Sequence, residues 1–159
     1  MFLSTDDFRI KSENFDLSRS ENIVRLACGA FYLPHALGKF TALGVLNPAI
    51  VKFFAAAGLS PPEAWVYIAA AAEVAVAFAL ILGLCTRFAA LGSVALMAVA
   101  VYSLQTVKGF GWTWNTGGYE YPVFWGICSL AVAVQAWKAW AGQSRRALGG
   151  QPMRMAPAE

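Results

Sequence analysis

Four side chains, Arg25, His35, Lys39 and Glu73, carry titratable groups inside stretches that are otherwise apolar, and Glu120 stands at the mouth of another. Charges at that depth in a membrane cost several kcal/mol unless paired, so they are the residues of this chain on which chemistry would rest. Two tasks suit them. In one, Glu73 with Lys39 and His35 is a buried ion pair that fixes helix register. In the other they line a polar pocket, where His35 or Lys39 donates to a carbonyl and Glu73 or Glu120 supplies a proton. A close Lys–Glu pair would titrate as a unit.

Other chemistries lack their residues. His35 is the only histidine, which excludes bis-histidine haem ligation within one chain and leaves Met97 as the conceivable axial partner. No HExxH motif, paired cysteine or carboxylate cluster suggests a metal site. Cys28, Cys85 and Cys128 form no CxxC pair and read as small buried hydrophobes rather than a dithiol for exchange with a quinone.

These groups must be positioned by membrane helices. Of 159 residues, 58% are hydrophobic and only 13% charged, where a soluble domain carries about a quarter charged. This balance excludes a disordered chain or an ordinary cytosolic enzyme. A net charge of +3, thinly spread, is too weak for a nucleic-acid surface. A bilayer core of about 30 Å takes roughly 20 apolar residues, and four runs qualify: Ile23 to Leu43, Trp65 to Leu84, Phe88 to Val107, and Pro122 to Trp140. Only Cys85, Thr86 and Arg87 separate the second from the third, which predicts an antiparallel hairpin. Asn47-Pro48 followed by Ala49 to Gly58 predicts a short interfacial helix between spans one and two.

The fold class expected is therefore all-α, an integral membrane four-helix bundle within residues 23–141, preceded by a polar segment (1–22) and followed by a loose tail (142–159). Nine Lys and Arg fall on one side and three on the other, which predicts both termini inside, N-in and C-in. Arg25 and Arg87 then sit at the inner surface, where lipid phosphates or carbonyls would meet them. Trp112, Trp114 and Tyr119 read as interfacial anchors at the outer side. The amino-terminal segment has no apolar core ahead of a cleavage site, so span one itself is expected to direct insertion.

Position within the spans brings the charges together. Arg25, Gly29, Tyr32, Ala36 and Lys39 recur at helical spacing on one stripe, with His35 beside it. At about 1.5 Å per residue, His35 and Glu73 both lie roughly 12 Å below the outer surface and Lys39 about 6 Å, with Glu120 shallower. Small residues at Ala71, Ala75 and Ala79 would let a neighbouring helix approach Glu73 closely.

Taken in order, Arg25-Leu26 with Gly29, His35 and Lys39, then Glu73, then Gly83-Leu84 with Thr86-Arg87, then Gly118-Tyr119-Glu120-Tyr121-Pro122, resemble the DoxX family of small four-helix membrane proteins. The resemblance covers roughly Asn22 to Ala141. It implies a multi-pass protein of the bacterial cytoplasmic (inner) membrane, linked to respiratory redox chemistry and to quinone-coupled oxidoreductases. On that footing His35, Lys39, Glu73 and Glu120 become a candidate site for a quinone headgroup. Arg25, Gly29, Gly83, Arg87 and Pro122 become structural motif residues. The chain shows no flavin, nicotinamide or iron–sulfur signature, so electrons would come from a protein partner or a small reductant. The competing expectation is a non-catalytic scaffold of a larger membrane complex. A solute transporter fits less well, because the spans lack an interior Gly/Pro break or an inverted repeat.

Overall fold

A computed structural model describes residues 3–149, with side chains as far as Gln143. Its helices are, in order, α1 (Ser20–Ala30), α2 (Tyr32–Leu37), α3 (Pro48–Ala56), α4 (Pro62–Leu82), α5 (Thr86–Lys108) and α6 (Glu120–Gly149). Two 3-10 turns, Thr5–Phe8 and Ser12–Phe15, precede α1, and a small antiparallel hairpin of β1 (Phe40–Ala42) and β2 (Val45–Leu46) joins α2 to α3.

Among the described residues, three helices are long and apolar enough to cross a membrane: Pro62–Leu82, Thr86–Lys108 and Glu120–Gln143. They correspond to the second, third and fourth expected spans, the second ending at Leu82 rather than Leu84, and the chain is a mostly helical membrane protein. Each buries only 22% of its most apolar stretch inside the protein, while Phe78, Val99, Phe124 and Ile127 stand exposed on the outside. Hydrocarbon surroundings tolerate that arrangement and water does not.

The first expected span departs from its prediction. A continuous helix from Ile23 to Leu43 is replaced by α1, an interruption at Phe31, and a short α2 that stops at Leu37. Pro34 accounts for the interruption, since it has no N–H to give the Ala30 carbonyl and its ring crowds that oxygen. Beyond Leu37 the chain tightens, with the Lys39 N–H donating to the Ala36 carbonyl at 3.3 Å. It then enters the hairpin, whose two-residue loop relies on Gly44 at φ 75°. This short hairpin stands in an otherwise helical protein, and the all-α class holds.

The remaining elements follow local rules. Asn47 caps α3 by accepting the Ala49 N–H at 3.0 Å, with Pro48 as the first helical residue. Helix α4 ends at Gly83, φ 74°, and the Leu84 N–H reaches back to the Ala79 carbonyl at 2.8 Å, closing the helix with a left-handed cap. The tight turn that results makes α4 and α5 the expected hairpin. Helix α6 continues past Trp140 to Gly149, because Gln143 and the run Arg145 to Leu148 favour helix and no proline interrupts them. The start of the tail expected to be loose is thus helical, and residues 150–159 lie outside the described residues.

In packing, α4 meets α1 and α2 on one side and α5 on the other, α5 runs along α6, and α6 returns to α1. Gly29 permits the closest of these approaches. A β-carbon there would stand 3.0 Å from the Ala77 carbonyl oxygen and from two side-chain carbons of α4. Tyr32, Ala77, Leu80, Ala90, Met97 and Trp125 form the centre of the core.

Candidate functional site: a buried ion pair beside an aromatic wall

Lys39 lies just beyond α2, and its side chain crosses to Glu73, which stands midway along α4. The Lys39 Nζ donates to Glu73 Oε2 at 2.6 Å, and the two side chains are only 10% and 13% exposed. The same ammonium donates to the His35 carbonyl at 3.3 Å, holding it over the end of α2. A charge-assisted bond this short, largely shielded from solvent, is strong, and neither member is easily removed alone.

His35 is close by but turned differently. Its ring is exposed and lies 5.5 Å from the Trp125 ring and 6.4 Å from that of Tyr121, both on α6. Glu120 opens α6, where its backbone N–H donates to the Trp112 carbonyl at 3.0 Å. Among the described residues no hydrogen bond or ion pair joins its carboxylate to the Lys39–Glu73 pair. The fold therefore joins Lys39 to Glu73, with His35 beside them. Pro122 occupies the first turn of α6, where a missing N–H costs nothing.

Sequence reasoning missed the wall behind this group. Trp125 is 4% exposed, packs 4.3 Å from the Tyr32 ring, and has an indole N–H with no acceptor among the described residues. A buried donor left without a partner costs about 1–3 kcal/mol, so it is a place where an acceptor would be welcome. Deeper in, the Tyr32 hydroxyl lies 2.8 Å from the Ser93 hydroxyl, which lies 2.7 Å from that of Ser129, linking α2, α5 and α6. Two serines in apolar spans facing a tyrosine on the charged stripe were the available signal.

At the opposite end of the helices the motif residues serve the protein itself. Arg25, 4% exposed, donates to the carbonyls of Leu80 and Ile81, the latter at 3.1 Å, and to that of Asn14. It satisfies carbonyls that the end of α4 leaves open and sets a positive charge at the negative pole of that helix. Arg87, 3% exposed, grips both carboxylate oxygens of Asp7 at 2.9 and 2.8 Å. Its guanidinium also lies 5.0 Å from the Trp137 ring and 4.7 Å from that of Trp140. The expectation that lipid headgroups meet these two arginines is corrected, because both are buried and find their acceptors within the protein, Arg25 on α4 and Asn14 and Arg87 on Asp7. Burial acts to raise the Asp7 pKa, but the Ser4 N–H and the Arg87 guanidinium outweigh it and hold the carboxyl below its usual range.

A cavity of about 340 Å³ lies between that segment and the adjoining ends of α5 and α6, lined among others by Arg9, Glu13, Gln135, Trp140 and Gln143. Cys85 borders it, its thiol pKa pushed up by burial and by the Asp7 charge.

Residues 22–106 match the family model for DoxX, just over half of the chain. The matched stretch holds Arg25, Gly29, His35, Lys39, Glu73, Gly83 and Arg87, and ends within α5, before Glu120 and Pro122. No curated protein and no solved structure matched the chain.

Proposed function

The chain belongs to the DoxX family, and on that footing we propose that it is a redox-associated subunit that binds a quinone headgroup, or seats a quinone-reactive oxidoreductase partner, beside Lys39 and Glu73. In this reading α1 and α2 together cross the bilayer as the fourth member of a four-helix bundle in a bacterial cytoplasmic membrane. Both termini lie on the inner side, as the excess of Lys and Arg there favours.

The observation that carries the reading is the pairing of a mutually satisfied Lys39–Glu73 bridge with an unsatisfied donor on the neighbouring wall. The Lys39 ammonium gives two of its three N–H groups to Glu73 and the His35 carbonyl, so the donors left for a quinone carbonyl are its third N–H, the His35 ring and the Trp125 indole N–H. A quinone accepts electrons and protons as it becomes the quinol. A quinone bound here would take two electrons from a partner subunit and two protons, one held within reach by the Lys39–Glu73 pair and the other drawn from water at the membrane surface. The more exposed rings of Tyr121 and His35, which rest against Trp125, supply flat faces on which a planar ring can lie.

A titration of the purified protein with ubiquinone and menaquinone analogues tests it, reading quenching of the six tryptophans against a Glu73→Gln control. Saturable quenching that is lost in the folded variant supports the site; identical linear quenching in both rejects it. One feature favours the scaffold reading instead. The Lys39–Glu73 bond clamps the end of α2 to the middle of α4, which is what a register-fixing pair would do. Under that reading Glu73→Gln weakens assembly and changes no quinone response.

A further inference from the structure

The residues ahead of α1 form a strap drawn tightly across the turn between α4 and α5. Asp7 binds Arg87 with both carboxylate oxygens, its carbonyl accepts the Cys85 N–H at 2.7 Å, and Asn14 donates to the Leu82 carbonyl at 3.2 Å. Asn22 ties the far end by donating to the carbonyls of Glu13 at 2.8 Å and Asp16 at 3.0 Å. Gly83 makes room for this closure, since a β-carbon there would run into the Asn14 amide. These polar anchors of the strap are thus turned toward the helices.

Its large apolar side chains do the reverse. Phe8 is 64% exposed, Leu17 61% and Ile10 59%, with Leu3 and Phe15 also exposed. Around Arg9 the backbone is extended, so Phe8 and Ile10 flank it on the side opposite to its own side chain. The level of the strap is set by what it grips: Leu82 ends one apolar helix long enough to cross a membrane, and Arg87 lies in the first turn of another. Trp137 and Trp140, which stack on the same Arg87, are residues that favour the headgroup region.

We propose that residues 3–17 lie in the bilayer surface at that end of the helices, with Phe8, Ile10 and Leu17 inserted among the headgroups and upper acyl chains. The occupant is lipid because the exposed side chains continue, at the same level, the apolar exterior of the spans to which the strap is tied. Residues 3–21 hold five acidic and three basic groups, so attraction to anionic headgroups does not hold the strap down. Apolar burial does, and the insertion is therefore independent of lipid charge.

Spin labels introduced singly through p-acetylphenylalanine, which leaves the native cysteines untouched, test this in the full-length protein in nanodiscs. Positions Phe8 and Ile10 are compared with Arg9 and Ser12, in pure phosphatidylcholine and in phosphatidylcholine with phosphatidylglycerol. All four side chains are exposed, so labelling leaves the fold in place, as circular dichroism will check. The expected result is an oxygen-to-nickel-chelate accessibility ratio severalfold higher at Phe8 and Ile10 than at Arg9 and Ser12, alike in both lipids. Equal access of the nickel chelate to all four positions would place the strap in water and overturn the proposal. Protection of Phe8 and Ile10 from both reagents would mean a protein contact, and a high ratio confined to the anionic lipid would mean that charge holds the strap; either also overturns it.

Discussion

Lys39 and Glu73 meet at 2.6 Å across two helical elements 34 residues apart in sequence, with little of either side chain exposed. Each neutralises a charge that the other would otherwise leave stranded among apolar side chains. Lys39→Met alone therefore strands the Glu73 carboxylate and should cost about 3 kcal/mol of stability. Lys39→Met with Glu73→Leu should recover most of that loss. Thermal unfolding of the three proteins in detergent checks both statements, and a double variant no better than the single one would show that the pair is not a closed unit.

Trp125 offers a test that separates binding from folding. The isosteric β-(3-benzothienyl)alanine keeps the two-ring shape against Tyr32 and removes only an N–H that has no acceptor among the described residues. Placed at Trp125, it should leave the unfolding midpoint unchanged or slightly raised, because no hydrogen bond and no packing volume is lost. The protein's affinity for a quinone analogue should fall by about tenfold, the equivalent of about 1.4 kcal/mol. Isothermal titration beside the thermal scan reads both quantities.

At Gly29 the closeness of α1 to α4 leaves no room for a methyl group. A β-carbon would meet the Ala77 carbonyl oxygen at 3.0 Å, and a backbone oxygen cannot turn aside. Gly29→Ala should cost about 1–3 kcal/mol through overpacking, seen as a lower unfolding midpoint. Gly142, with open space around it, should accept the same change without such a loss.

The strap is sensitive to acid through Asp7. Its carboxyl is held below the ordinary value of 3.8, so the stabilisation it gives is complete above that value and is lost as pH falls through the lower folded value. Hydrogen-exchange protection factors of residues 4–16 should therefore stay high at neutral pH and fall only under strongly acidic conditions. Asp7→Asn should show fast exchange in the same residues already at pH 7.

Much of this architecture was legible in the sequence. Runs of about 20 apolar residues marked α4, α5 and α6, and the three residues between two of them forced the hairpin. Asn47-Pro48 signalled the start of α3. Counting depth along the spans brought His35, Lys39 and Glu73 to comparable levels, and the fold makes the Lys39–Glu73 contact. The same counting placed Glu120 near the group by height alone, which says nothing about direction around the helix. Pro34 carried the interruption of the first span in plain sight, but the apolar run hid it. The contacts of Arg25 and Arg87 were illegible for a different reason. Asp7 and Arg87 are 80 residues apart, and no local pattern announces that a polar amino-terminal segment will double back beneath a turn. Trp125 likewise reads as one more apolar residue until its burial shows that the indole N–H is shut off from water and has no acceptor among the described residues.

A quinone headgroup between the Lys39–Glu73 bridge and the Trp125 wall is tested most directly by photolabelling. The protein in nanodiscs would be irradiated with an azidoquinone, in the presence and absence of excess unlabelled quinone, and the adducts mapped by mass spectrometry. A quinone in that place would leave adducts concentrated at His35 and within Tyr121–Trp125, suppressed by the competitor. Adducts scattered over the outward-facing Phe78, Val99 and Ile127, unchanged by competition, would contradict it.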